Sequence, residues 1–196
     1  MTKIIGITGG IASGKSSVTA FLRQEGYPVI DADQVVHDLQ EVGGPLYRLL
    51  VERLGTGILM ADGRLNRPAI AQRFFSDSSL KSWSDQAQGQ LIRQELAAQR
   101  DWLAETEPIL FMDIPLLFEQ HYESWFDQIW LVYVDRETQL ERLMLRNGLS
   151  QAEAEARLAS QMPLEQKLAL TPIHLDNSRS LEFTQEQVLA RLRYLL

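Results

Sequence analysis

Lys15 and Ser16 stand at a fixed offset behind three glycines. The run Gly9-Gly10-Ile11-Ala12-Ser13-Gly14-Lys15-Ser16 satisfies the spacing G-x-x-x-x-G-K-[ST]. These residue types in this order can grip a polyphosphate. Glycines let the backbone turn tightly and bring N–H groups to phosphate oxygens. A helix opening at Lys15 would aim its unsatisfied N–H groups and positive dipole end at the same spot. Lys15 adds a full charge toward the β and γ phosphates, and the Ser16 hydroxyl can ligate Mg²⁺. A chance match in a chain of this length is on the order of 1% from average residue usage, and the match follows an apolar strand pattern and opens a helical one, as the mechanism requires.

Carboxylates come next. "VIDADQVVH" puts Asp31 and Asp33 just past a second strand pattern, and "ILFMDIP" ends a third on Asp113. Ligands of parallel α/β sheets bind at the carboxyl ends of the strands. If the second strand neighbours the glycine loop, Asp31 and Asp33 face the terminal phosphate, and they share a side if the segment stays extended. Asp33 would then accept the proton of an attacking hydroxyl, while Asp31 and Asp113 would hold Mg²⁺ through water. The alternative for Asp31 or Asp33 is to cap the following helix. Glu119 reads as a surface charge rather than a substrate contact. Arg142 and Arg146, four apart on a helical pattern, share a face and could close over a transferring phosphoryl group. Arg157 and Gln161 repeat that spacing on the next helix. The three histidines are scattered without metal-ligand spacing.

The elements that must position these groups alternate. "KIIGIT", "YPVIDAD", "EPILFMDIP", "QIWLVYVD" and "PIHLDN" are short, β-branched and mostly apolar on both faces, the pattern of strands buried in a parallel sheet. Helical patterns separate them, so the expected fold is α/β, a three-layer core around a five-stranded parallel sheet. "KSSVTAFLRQEG" stops at Gly26 and "ETQLERLMLRNG" at Gly148. Ser150 with Glu153, and Thr184 with Gln187, are spaced as capping boxes. Two regions break the rhythm. Residues 41–104 hold helical patterns but no good strand and read as a helical insertion. Residues 141–170 read as a helical lid. The core is then 1–40, 105–140 and 171–196.

The totals limit the partners. The chain has 196 residues, 45% apolar content, a formal net charge of −7 and no cysteine. The charge disfavours nucleic acid and anionic membranes. The lack of cysteine excludes disulfides and thiolate-bound zinc. No apolar run approaches the roughly 18 residues of a membrane span, and the start of the chain lacks a signal-peptide pattern. A cytoplasmic protein is expected, monomeric or weakly self-associating.

With "TGGIASGKS", "VIDAD", "DIPLLFE" and "LDN" together, the whole chain resembles the dephospho-coenzyme A kinases. That resemblance implies a P-loop kinase core, a helical insertion that binds coenzyme A and a lid. It implies ATP-dependent phosphorylation of the ribose 3′-hydroxyl of dephospho-coenzyme A, the last step of coenzyme A synthesis, with ATP and Mg²⁺. It assigns Gly10, Ile11, Ala12, Ser13, Gly14, Lys15, Ser16 and Ser17 to the ATP phosphates and Asp33 to the base at the 3′-hydroxyl. Arg67, in "LNR", falls where the family has an insertion arginine near the substrate. Arg142 falls at a lid arginine, and Asn177 where a loop approaches adenine. Five positions, at three places, depart from the pattern. Ala12 replaces a usual glycine, and its methyl fits if the backbone there is not left-handed. Gly89 and Gln90 replace a His-Pro pair, and Thr171 and Pro172 an Ala-Asp pair. A different small-molecule or nucleoside kinase with the same core is the alternative. A GTPase switch would need an N-K-x-D segment, which the chain lacks.

Overall fold

The computed structural model describes residues 2–195. The chain divides into two compact units, one running to Asp31 and resuming at Trp102, the other spanning Ala32–Asp101.

In the first unit, β1 (Lys3–Gly9), β2 (Val29–Asp31), β3 (Ile109–Asp113), β4 (Gln128–Tyr133) and β5 (Ile173–Asp176) form one parallel sheet in the order β2-β3-β1-β4-β5. The five strand patterns of the sequence correspond to these five strands. β1 is therefore central, flanked by β3 and β4. The second strand does not neighbour β1, the condition on which Asp31 and Asp33 would face the terminal phosphate; β3 lies between. Asp113, at the end of that intervening strand, is the carboxylate next to β1, and Asp31 pairs with it in register one strand further out.

Burial explains the strand composition. Ile5, Ile7, Phe111, Trp130, Val132 and Leu175 are closed off from solvent and join Val18 and Leu22 of α1 (Lys15–Gln24) and Val188 and Leu192 of α9 (Leu181–Leu192) in one apolar cluster. Phe111 sits edge-on to both Trp130, at 5.3 Å between ring centres, and Tyr27, at 5.6 Å. Full burial of side chains of this size contributes roughly 1.5–3 kcal/mol each, so the centre of the sheet is a rigid platform for whatever its strand ends carry.

Three more helices complete this unit: α6 (Arg136–Asn147), α7 (Gln151–Ala159) and α8 (Leu164–Leu170). Asp135 caps α6 by accepting from Thr138 N–H at 2.9 Å, and Gly148 ends it in left-handed backbone. Ser150 and Glu153 form the expected capping box at α7. The second expected box does not form. Ser180 caps α9, and Thr184 lies inside the helix, where its hydroxyl donates to Asn177 Oδ1 at 2.8 Å.

The second unit holds α2 (Ala32–Gln40), α3 (Pro45–Leu54), α4 (Arg67–Ser76) and most of α5 (Ser78–Ala104). Its own core is Leu50, Leu54, Ile58 and Ile70, flanked by Leu65, Phe74 and Leu80. Asn66 caps α4, its side chain accepting from Ala69 N–H at 3.1 Å.

Candidate active site

The glycine loop connects the buried end of β1 to the first turn of α1. Gly14 stands at the N-cap of α1 with φ 80°, in left-handed backbone, and no side chain caps the helix. The first turn of α1 contains no acidic residue, so no charge of the helix's own opposes the positive end of its dipole. A Cβ at Gly14 would collide with the Asn177 side-chain amide, and Arg142 is the next nearest side chain. Asn177, at the end of β5, is buried; its Nδ2 donates to the Ser13 carbonyl at 2.8 Å and its Oδ1 accepts from Thr184. The Asn177 amide is thus engaged on both sides and braces the loop from beneath.

Lys15, the lysine of the motif, is ion-paired with Asp113. Asp113 is only 3% exposed. A carboxylate so placed keeps the ammonium beside the loop. Asp31 lies across from Asp113 in the β2–β3 register and is 3.9 Å from Arg23 of α1. The helix α2 begins at Ala32, so Asp31 and Asp33 are not two positions of an extended segment, as the sequence reading allowed. Asp33 occupies the first turn of α2, where its charge complements the helix dipole.

Above the loop, Ala12, Gly14, Ser16, Arg142, Leu145 and Arg146 line a cavity of about 450 Å³. Both arginines of α6 therefore face the loop and helix end. Arg157 is exposed on α7 and lines none of it. In the second unit, Arg67 at the start of α4 donates to Gln40 Oε1 at 3.1 Å and, with His37, Glu41, Met60 and Arg64, lines a separate cavity of about 330 Å³.

Two expectations need correction. Ala12 has φ 60°, so its methyl sits on left-handed backbone, a conformation that costs an L-residue roughly 1–2 kcal/mol. Glu119 is no surface charge. It is ion-paired at 2.8 Å with Lys167, which is fully buried, and its Oε1 also accepts from Met162 N–H at 3.2 Å. Sequence reasoning missed Gln139, which donates to the Ile11 carbonyl, and gave Gln161 only a repeat of spacing, whereas its Oε1 accepts from Ile11 N–H. A polar residue four positions before buried Leu143 on the inner face of α6 was the available signal for Gln139.

Hard oxygen donors suit Mg²⁺, which binds through one or two carboxylates and substrate phosphates rather than a full protein cage. The oxygen donors present are Ser16 in the first turn of α1 and Asp113 and Asp31 at the ends of β3 and β2. Among the described residues no group of three or more His, Cys, Asp or Glu side chains could hold a metal ion alone.

A phosphate-gripping loop between β1 and α1, on a parallel sheet of order 2-3-1-4-5 with arginines on a following helix, defines a P-loop kinase fold. The solved structures similar to the chain agree: shikimate kinase from Bacteroides thetaiotaomicron shares the fold at TM-score 0.53, with 17% identity over 98% of this chain and 97% of its own. The family model for dephospho-CoA kinase matches residues 3–182, and the chain belongs to that family. The dephospho-CoA kinase of Streptococcus mutans serotype c is 59% identical, covering 100% of this chain and 98% of that one. The dephospho-CoA kinase structure from Campylobacter jejuni superposes at TM-score 0.75, 26% identical over 100% of this chain and 98% of its own.

Proposed function

We propose that the chain transfers the γ-phosphoryl group of ATP to the ribose 3′-hydroxyl of dephospho-CoA, giving CoA and ADP. The observation that carries this reading is membership of the dephospho-CoA kinase family along residues 3–182, with the family's glycine loop built as a phosphate cradle. Phosphoryl transfer asks the protein for positioning and charge neutralisation rather than covalent chemistry. The loop amides from Gly14 to Ser17 and the start of α1 hold the β and γ phosphates. Lys15 leaves Asp113 for the γ-phosphate oxygens. Arg142, with Arg146 beside it, neutralises charge that develops on the transferring group.

Mg²⁺ would be held by the Ser16 hydroxyl and, through water, by Asp113 with Asp31, and it would supply charge neutralisation between the β and γ phosphates. Asp33 accepts the proton of the 3′-hydroxyl as the new P–O bond forms. Residues 41–104 receive the acceptor, with Arg67 against its phosphates, and residues 141–170 act as the lid. Asn177 serves the nucleotide through the loop its amide braces. The reaction runs in the cytoplasm, with the chain monomeric or weakly associated and without nucleic acid or membrane partners. Among the described residues no helix is long and apolar enough to cross a membrane.

The test is ADP formation from ATP and Mg²⁺ with and without dephospho-CoA, and with nucleosides, gluconate and shikimate as rival acceptors. Turnover only with dephospho-CoA supports the reading. Comparable turnover with a rival acceptor, or none with any, refutes it.

A further inference from the structure

The backbone of Ile11 is held at both its N–H and its carbonyl, groups of two successive peptides, by one glutamine of α6 and one just after α7. Gln139 of α6 donates its Nε2–H to the Ile11 carbonyl at 2.7 Å, and Gln161, just after α7, accepts from Ile11 N–H at 3.1 Å. A backbone carbonyl can only accept and a backbone N–H can only donate, so the orientation of both side-chain amides is fixed by their partners. Gln139 is buried at 6% exposure. Room for it comes from Gly10, where a Cβ would fall 2.5 Å from Gln139 Nε2.

The next residue shows why the backbone needs holding. Ala12 carries φ 60°, and a non-glycine residue stays in that region only where its surroundings over-determine it. Ser13 N–H closes the turn on the Gly10 carbonyl at 3.1 Å. The strained turn therefore spans the clamped backbone.

The element carrying Gln161 is anchored in turn. Met162 N–H donates to Glu119, Glu119 pairs with fully buried Lys167 of α8, and Lys167 Nζ donates to the Pro115 carbonyl at 3.3 Å. Thr8 of β1 donates its hydroxyl to the same carbonyl at 3.1 Å. The return segment after α7 is thus fastened to the sheet that carries the loop.

We infer that Gln139 and Gln161 are positioning residues that set the phosphate loop in its nucleotide-binding shape before ATP arrives, acting through the Ile11 backbone. The inference rests on the kinase reading above, but it concerns ATP affinity and so is measurable without an acceptor. Neither side chain needs to touch the nucleotide. Their loss raises the KM and Kd for ATP, because the loop must then be ordered at the expense of binding, while the groups that act on the transferring phosphoryl stay in place and kcat falls little.

The test compares Gln139→Met, Gln139→Glu, Gln161→Met and Gln161→Glu, each checked for wild-type-like circular dichroism and thermal midpoint. ATP affinity is read by titration calorimetry without acceptor, and KM and kcat with dephospho-CoA. Each methionine variant is expected to weaken ATP about tenfold or more, as loss of a buried hydrogen bond implies, with kcat within about threefold. Gln161→Glu still offers an acceptor to Ile11 N–H and recovers most of what Gln161→Met loses. Gln139→Glu turns a carboxylate on the Ile11 carbonyl and recovers nothing. Both glutamates add one negative charge beside the Ile11 backbone, so their difference reads bond polarity rather than charge. Equal impairment of the two glutamate variants, or methionine variants within twofold of wild type in ATP affinity, overturns the inference. If the glutamine variants respond as expected while dephospho-CoA accepts no phosphoryl group, the acceptor assignment fails and the clamp stands.

Discussion

Glu119→Gln tests how the return segment is anchored. The Lys167 side chain is 0% exposed and that of Glu119 21%, with 2.8 Å between Nζ and Oε1. At an effective dielectric near 20 the attraction is roughly 6 kcal/mol. Desolvating two ions costs several kcal/mol each, so the net contribution of the pair is near zero, but breaking it is costly. Glu119→Gln keeps an oxygen for Met162 N–H and leaves the buried ammonium without a counter-charge; the expected loss is about 3–5 kcal/mol. Lys167→Met leaves the Glu119 carboxylate without its counter-charge, with Oε2 closed off from solvent and without a hydrogen-bond partner, so it is destabilising as well. The double variant Glu119→Gln/Lys167→Met removes the uncompensated charge and recovers about 2 kcal/mol or more relative to the sum of the singles. For a chain of this size a loss of 3–5 kcal/mol lowers Tm by about 6–20 °C. Urea unfolding of the four proteins measures the cycle. Additive singles, or a Glu119→Gln loss below about 1 kcal/mol, would refute the reasoning.

Three other outcomes follow from the site and its caps. Asp33→Asn is expected to bind ATP normally and to lose turnover by about two to four orders of magnitude, measured by calorimetry and ADP release; near-normal turnover removes Asp33 as the base. Gly14→Ala meets both φ 80° and the Asn177 amide, so ATP binding should fall below detection by calorimetry, whereas a value within tenfold of wild type contradicts the packing. The Thr138 backbone N–H, then its hydroxyl, holds the Asp135 carboxyl below the usual carboxylate value, and the Ser150 hydroxyl, then its N–H, does so for Glu153. Folded-state values that are depressed give stability that is present above the unfolded pKa near 4 and lost as pH falls through the folded one. Tm should hold from pH 7 to 5 and decline below about pH 4, with a shallower decline in Ser150→Ala; an identical acid slope in that variant would contradict the cap assignment.

The strands and the phosphate loop were legible because each is local. An apolar run buried on both faces, and a glycine spacing that ends in Lys15 and Ser16, need no partner to be recognised. The left-handed stops at Gly26 and Gly148 were equally readable. Strand order was not, since nothing in "VIDAD" says that β3 will sit between β2 and β1. The start of α2 at Ala32 also escaped, because the same five residues suit an extended strand end or a first helical turn. Gln139, Gln161 and the Glu119–Lys167 pair join residues between 48 and 150 positions apart, and their polarity reads as surface until the fold closes over them. Ala12 was open to either backbone; only the turn from Gly10 to Ser13 decides it.

The central claim is that the glycine loop holds ATP so that its last phosphoryl group passes to one particular hydroxyl. Incubation with ATP, Mg²⁺ and dephospho-CoA followed by phosphorus NMR of the purified product measures this directly. A new phosphomonoester resonance that a 3′-nucleotidase removes is the expected result. Phosphate released to water, or an ester at any other hydroxyl, would contradict it.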